Sequence, residues 1–254
     1  MIGYRVLDVG LRPLRKVRLV RVAPSLRLAP FQRAEIEVVR RRLQGSGRRI
    51  WPGPLYHLSS FHATDRLVLC VGTTDYLVAV AMHEYSKSWA KCLGEESLPR
   101  PIAISVLTLT RDQKLVMERR SRLVAEYPGK FHVRPSGHPE PPETLRQSIA
   151  RESGEELGIK PSEVSELCYL GMVQNMENGK VEVICSQRTR LSLEEVRSRQ
   201  PSSEWESEEQ IGIPATPRGI RKMVRAHSRE ICVPGMAALA IALRAYEGSS
   251  AVSR

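Results

Sequence analysis

Residues 137–159 read Gly-His-Pro-Glu-Pro-Pro-Glu-Thr-Leu-Arg-Gln-Ser-Ile-Ala-Arg-Glu-Ser-Gly-Glu-Glu-Leu-Gly-Ile. Pro141 and Pro142 suit the first turn of a helix, where a missing N–H costs little. Gly158 suits its end, where a left-handed residue often sits. Between them Leu145, Ile149, Ser153 and Leu157 recur every four residues. They form a narrow face able to pack on a sheet.

The same helix carries Glu152, Glu155 and Glu156. At about 100° per residue they share one arc along little more than a turn. Like charges at such spacing repel by a few tenths of a kcal/mol per pair, roughly. A divalent cation reverses that cost, and hard cations such as Mg²⁺ prefer carboxylate oxygens. A solvated acidic face is the other reading of a bare Glu-x-x-Glu-Glu.

The wider pattern decides between them. Gly137, five residues, Glu143, seven residues, Arg151-Glu152, then Glu155-Glu156, one residue, Gly158-Ile159 resembles the Nudix box, with all its fixed identities at the right spacing. One position departs: Ser153 stands where an apolar residue is usual, which weakens packing under the helix and touches no metal ligand. The resemblance implies an α/β/α sandwich with a mixed sheet. It also implies Mg²⁺-dependent hydrolysis of a nucleoside diphosphate linked to another moiety, with Mn²⁺ as the other candidate ion. In that reading Glu152, Glu155, Glu156 and the Gly137 carbonyl hold the metal. Arg151 orients the glutamates and Glu143 braces Arg151. The chemistry agrees: attack on a diphosphate needs its charge neutralised and a water activated, and metal ions do both. An arginine fork matches a carboxylate in two bonds.

The remainder of the chain sets bounds. A length of 254 residues, 41% hydrophobic and 26% charged, fits a globular protein. No apolar run reaches the roughly 18 residues of a membrane span. The N-terminus lacks an apolar signal region. Five scattered cysteines without a CxxC pair read as reduced, cytoplasmic and mostly buried. Residues 1–50 hold thirteen Arg or Lys against Asp8, Glu35 and Glu37, nearly all of the net +11. That basic fifth suits an anionic partner or a patch that steers phosphates; solvated arginines are the alternative.

Taken in order, Val17 to Val22 reads as a short strand and Phe31 to Leu43 as a helix ending in Arg40-Arg41-Arg42. Gly45-Ser46-Gly47 and Trp51-Pro52-Gly53-Pro54 are breakers. Leu55 to Phe61 and Leu67 to Val71 are strand-like, and Asp75 to Tyr85 is helical. The polar link from Glu95 to Pro101 divides an α+β extension, 1–100, packed on the other unit, from a Nudix-like unit, 101–254. In the latter, Ile102 to Thr110, Lys114 to Arg119, Phe131 to Val133, Glu166 to Val173 and Val181 to Arg190 are strands. Ser192 to Arg199, Pro217 to Arg225 and Pro234 to Tyr246 are helices, with Met236, Leu239, Leu243 and Tyr246 as a packing face. Glu204, Glu206, Glu208 and Glu209 fall in a loop able to fold over the site. The tail from Gly248 to Arg254 looks frayed.

Glu118 to Gly129, Gly72 to Tyr76 and Gly137 to Pro141 together resemble the UDP-sugar pyrophosphatase branch of the family, over about residues 55–160. Here Pro135-Ser136-Gly137 stands for the branch's Pro-Gly-Gly, and Arg134 looks like an added residue in the path to the metal loop. The resemblance implies a UDP-sugar substrate yielding UMP and a sugar 1-phosphate. Arg119, Arg120 and Arg122 lie at a hairpin end able to face the box, where their forks suit phosphate oxygens; a solvent-exposed rim is the other reading. Tyr76 is placed either to stack on a base or to sit in the core, and His138 either to donate to a phosphate or to shape the turn. Another nucleotide such as ADP-ribose is the alternative substrate. RNA binding through the basic segment is the alternative class, although that segment has only Tyr4 and Phe31 as aromatics and no evident RNA module. A homodimer is one of the assembly states left open.

Overall fold

The computed structural model describes residues 3–22, 26–46, 53–199 and 201–252. The breakers expected at 47, 51 and 52 lie outside the described residues. The core is a mixed sheet with the path β1-β9-β10-β5-β6-β11, to which two short strands, β7 and β8, add on β6 and β5. Its strands are β1 (Tyr4–Pro13), β5 (Ile102–Leu109), β6 (Lys114–Arg120), β7 (Phe131–Val133), β8 (Ser136–Gly137), β9 (Val164–Asn175), β10 (Val181–Thr189) and β11 (Ser207–Pro214). β5 pairs in parallel with β10 and antiparallel with β6 and β8. Its run Ile-Ala-Ile-Ser-Val-Leu-Thr-Leu is buried along nearly its whole length, as a strand covered on both faces must be.

Side chains alternate across the sheet, so each face builds its own core. On one face Leu107, Met117, Val173 and Ile184 pack under α5 (Pro217–His227) and α6 (Val233–Val252). On the other, Ile104, Val106, Met172 and Val183 pack under Leu145 and Ile149 of α3 (Leu145–Leu157) and under a second sheet. That second sheet has the order β2-β4-β3, from Val17–Arg21, Leu67–Asp75 and Pro54–Ala63. A third cluster joins α1 (Pro30–Gly45) and α2 (Tyr76–Leu93) through Val39, Leu43, Met82 and Trp89. The short α4 (Leu193–Arg197) follows β10.

Two expectations change, and residues 4–13, read as part of the N-terminal extension, form a strand of the large sheet: β1 pairs with β9 from Tyr4↔Asn175 to Pro13↔Cys168. Its register shifts twice, between Val6 and Asp8 and between Val9 and Arg12, and such bulges break the period-two pattern that betrays a strand. Glu208 and Glu209 are not in a loop but in edge strand β11, which pairs with β6 from Ser207↔Arg120 to Pro214↔Lys114; charges and a terminal proline are how an edge is kept from further pairing. The tail does not fray at Gly248, since α6 runs to Val252.

Candidate active site

The acidic helix α3 begins at Leu145, not at Pro141-Pro142. Thr144 caps it: its side chain accepts the Gln147 N–H while Gln147 Oε1 accepts the Thr144 N–H. This reciprocal box satisfies two donors that neither proline could serve, and the prolines lie in the loop ahead of it. Gly158 ends the helix at φ 64. Leu145, Ile149, Ser153 and Leu157 are all buried. Ser153 does more than weaken packing: Ser153 Oγ donates to Gln187 Oε1 (3.1 Å), Gln187 Nε2 to Thr108 Oγ1 (2.8 Å), and Thr108 Oγ1 to the Arg134 carbonyl (2.7 Å). A buried polar chain thus ties the helix to β10, to β5 and to the loop before Gly137.

Arg151 is the hub. Its Nε and Nη2 donate to Glu143 at 2.9 and 3.2 Å, and its Nη1 to Glu152 at 2.9 Å and Glu155 at 3.1 Å. Nη2 also donates to the His138 carbonyl at 3.0 Å. One guanidinium therefore links the loop, the first box glutamate and two of the helix glutamates, using the planar fork that only arginine offers. Burial raises the Glu152 pKa to about 8, with Glu155 adding to the rise and Arg151 opposing it. Burial likewise raises Glu156, against the pull of Arg134. A methyl on Gly137 would collide with the Glu152 carboxylate, so only glycine lets Glu152 sit against that backbone.

Arg151, Glu152 and Glu155, with Gly137, line one end of a cleft of about 440 Å³. Tyr76, Arg120, Glu126, Tyr127, His138, Glu140, Arg151, Glu152, Glu155, Lys180, Glu182, Trp205 and Glu206 all face it. The second sheet's follower, α2, thus contributes a wall through Tyr76, which meets the His138 ring edge-on at 5.7 Å. His138 Nε2 is buried without a hydrogen-bond partner. Burial, with Lys180 adding, lowers the His138 pKa to about 3, so its ring is neutral and has one nitrogen to offer a ligand.

Of the three expected arginines only Arg120 faces the cleft, with Nε on the Glu126 carbonyl at 3.2 Å. Arg119 does not: it covers the Phe131 ring at 4.1 Å and donates to Glu230 at 2.8 Å. Neighbours on a strand point to opposite faces, so a pair of adjacent arginines cannot both face the box. Arg122 is exposed beside Glu208. Glu156 is also turned from the cleft, 3% exposed, accepting from Arg134 Nε at 3.1 Å and from the Ser136 N–H at 3.2 Å. Among the described residues no three His, Cys, Asp or Glu side chains converge as a finished metal cage. Arg151 stands between Glu152 and Glu155, and Arg134 holds Glu156. The donor set nonetheless fits a hard dication: carboxylates only, clustered on one helix, two of them carrying charge that burial disfavours.

Sequence reasoning missed the far end of the cleft. Lys180 Nζ donates to Glu126 Oε2 at 2.7 Å, and His83 Nε2 meets Glu126 Oε1 at 2.6 Å. Against the cost of burial, Lys180 and His83 hold the Glu126 carboxyl well below its usual range. Lys180 and Glu182 sit on an apolar strand and its turn, with no motif to single them out. Of the four glutamates within 204–209, Glu206 faces the cleft while Glu208 and Glu209 lie near Arg122 and Arg119.

The chain is similar to known proteins in sequence. The family model described as NUDIX domain matches residues 99–226, half of the chain. Over 184 residues the chain is 28% identical to the uridine diphosphate glucose pyrophosphatase NUDT22 of Mus musculus, covering 61% of this chain and 59% of that protein. The match therefore spans less than two thirds of the relative's length. Among solved structures, the MutT protein from Methanosarcina mazei Go1 has a TM-score of 0.40 and 17% identity over 57% of this chain and 94% of that one. A Nudix hydrolase from M. smegmatis, RenU, has a TM-score of 0.41 and 14% identity over 59% and 86%.

Proposed function

The chain belongs to the NUDIX family, and from that premise we propose that it hydrolyses the diphosphate bond of a UDP-sugar, giving UMP and a sugar 1-phosphate, with Mg²⁺ as cofactor. The observation that carries the reading is the cleft itself. Glu152, Glu155 and Glu206 lie in one space with Arg120, Arg151 and Lys180. Carboxylates able to hold a dication therefore face cations able to hold phosphate oxygens. The relative named as a uridine diphosphate glucose pyrophosphatase supports the choice of nucleotide.

Glu152 and Glu155, with the Gly137 carbonyl beside them, would hold the cation, and Glu156 would join them once free of Arg134. Bound there, the ion neutralises diphosphate charge and makes a water more acidic. Arg151 keeps the carboxylates in place. Arg120 and Lys180 bind and orient the diphosphate through charge-assisted bonds. Glu206 takes the proton of the attacking water; burial raises its pKa, against Arg120 and with Glu118, which makes it a stronger base than an exposed glutamate. Water oxygen bonds to one phosphorus as the bridging P–O bond breaks, and the second phosphate leaves. Tyr76 and the buried nitrogen of His138 also line the cleft. The five cysteines are free thiols, which suits a reducing cytoplasm.

The test is a panel of UDP-glucose, UDP-galactose and ADP-ribose with Mg²⁺ and the full chain, read by phosphatase-coupled phosphate release. The highest kcat/KM on a UDP-sugar, absent in Glu152→Gln, is the expected result. Preference for ADP-ribose would move the substrate assignment, and no turnover of any nucleotide would overturn the reading.

A further inference from the structure

Arg134 occupies the loop just before the metal-side glycine, 3% exposed. Its main chain is anchored by Thr108, as described. Its guanidinium lies between two buried carboxylates: Nε is 3.1 Å from Glu156 Oε2, and Nη1 is 3.4 Å from Glu118 Oε2. Glu118 is 1% exposed. Its Oε2 makes no hydrogen bond, and neither does Arg134 Nη2. One arginine is therefore shared by two carboxylates, well bonded to the first and poised near the second, with an unused donor and an unused acceptor between them.

We propose that Arg134 is an internal counter-cation that competes with the divalent cation for Glu156, and that Glu118 is the carboxylate that receives it when the cation binds. This rests on reading the cleft as a cation site. Glu118 also has Arg120 Nη1 at 3.4 Å from its Oε1, whereas Glu156 left unpaired in the interior is costly. Arg134 removes that cost while the cation is absent. A dication on Glu156 must displace Arg134, and an expelled buried guanidinium would itself be costly. Glu118 accepts it without any return to water, because Nη1 is already within ion-pair distance. Arg134 is thus a positioning residue that sets cation affinity; it reaches neither substrate nor reacting atoms.

Mn²⁺ binding to the full chain, measured by isothermal titration, tests this without turnover. Arg134→Met keeps length and removes charge; its Kd for Mn²⁺ should fall at least tenfold relative to the unaltered protein. Glu118→Gln should raise the Kd, since Arg134 then stays on Glu156. In a Glu156→Gln background the Arg134→Met effect should shrink below threefold, because competition needs both partners. An effect that persists there would make Arg134 a distant charge and overturn the proposal. So would a Kd for Arg134→Met within threefold of the unaltered protein's. If Arg134→Met does not fold without metal, Arg134→Lys serves: the charge stays, and a Kd falling tenfold would overturn the proposal, whereas a smaller change supports it. Mn²⁺ bound by no variant would overturn the cation-site reading along with it.

Discussion

Arg151 and Glu143 grip each other in two near-parallel bonds, Nε to Oε1 at 2.9 Å and Nη2 to Oε2 at 3.2 Å, across the eight residues that separate loop from helix. The same guanidinium reaches Glu152 and Glu155. Arg151→Lys keeps the charge and loses the fork. Partners that orient metal ligands are worth about 10–100-fold in affinity or activity, so kcat/KM on the best substrate should fall by that factor. Steady-state rates within twofold of the unaltered enzyme would show that the hub is ornamental.

Gly137→Ala places a methyl on the Glu152 carboxylate. Displacing a reacting group by about 1 Å costs on the order of a hundredfold. Activity should drop by at least that much while the circular dichroism spectrum stays unchanged. An active alanine variant would mean that Glu152 has room elsewhere in the cleft.

Glu152→Gln should trade activity for stability. The folded pKa of about 8 lies above the usual value near 4.3. Stability from this group is therefore full below the unfolded pKa and lost as pH rises through 8. At pH 8.5 in EDTA the glutamine protein should be more stable in urea by on the order of 1–3 kcal/mol. Mg²⁺ should then stabilise the unaltered protein and leave the variant where it is. A less stable variant in EDTA would refute this account of the buried charge.

Ser153→Val restores the apolar residue usual at that place and strands the buried Gln187 carbonyl. Leaving such an acceptor unpaired costs about 1–3 kcal/mol. Chemical denaturation should show that loss, and adding Gln187→Leu should recover most of it, since Thr108 keeps the Arg134 carbonyl. Stabilisation by Ser153→Val alone would contradict the buried chain.

His57 accepts the Arg100 N–H on Nδ1 at 2.9 Å. Burial, with Arg100 adding, lowers its pKa to about 4. The unfolded chain binds this proton near 6.5, so His57 favours the folded state above that pH and the benefit is lost as pH falls toward 4. Between pH 7.5 and 5 the unaltered protein should lose about 1–2 kcal/mol more than His57→Gln. Parallel pH profiles of the two proteins would count against a buried neutral ring.

How much was legible in the sequence differs by element. α3, its glycine stop and its acidic arc were readable, because a helix face and a cap depend on residues three and four apart. The strands β5, β9 and β10 were readable as apolar runs. β1 escaped because two bulges break its alternation, and β11 because an acidic edge strand looks like a loop. Arg119, Arg120 and Arg122 looked alike in sequence; pairing of β6 with β7 and β11 sends only Arg120 into the cleft.

The sequence by itself determined the acidic helix, the family and the chemistry that family implies, since spacing along one chain is a local property. Only the tertiary structure decided that Lys180 and Glu126 share the cleft with the box, that β1 closes the sheet beside β9, and that Arg134 holds Glu156. Those partners lie 54, about 160 and 22 residues apart. A buried charge needs an opposite charge within a few ångströms, and the fold, not the local pattern, brings that partner within reach.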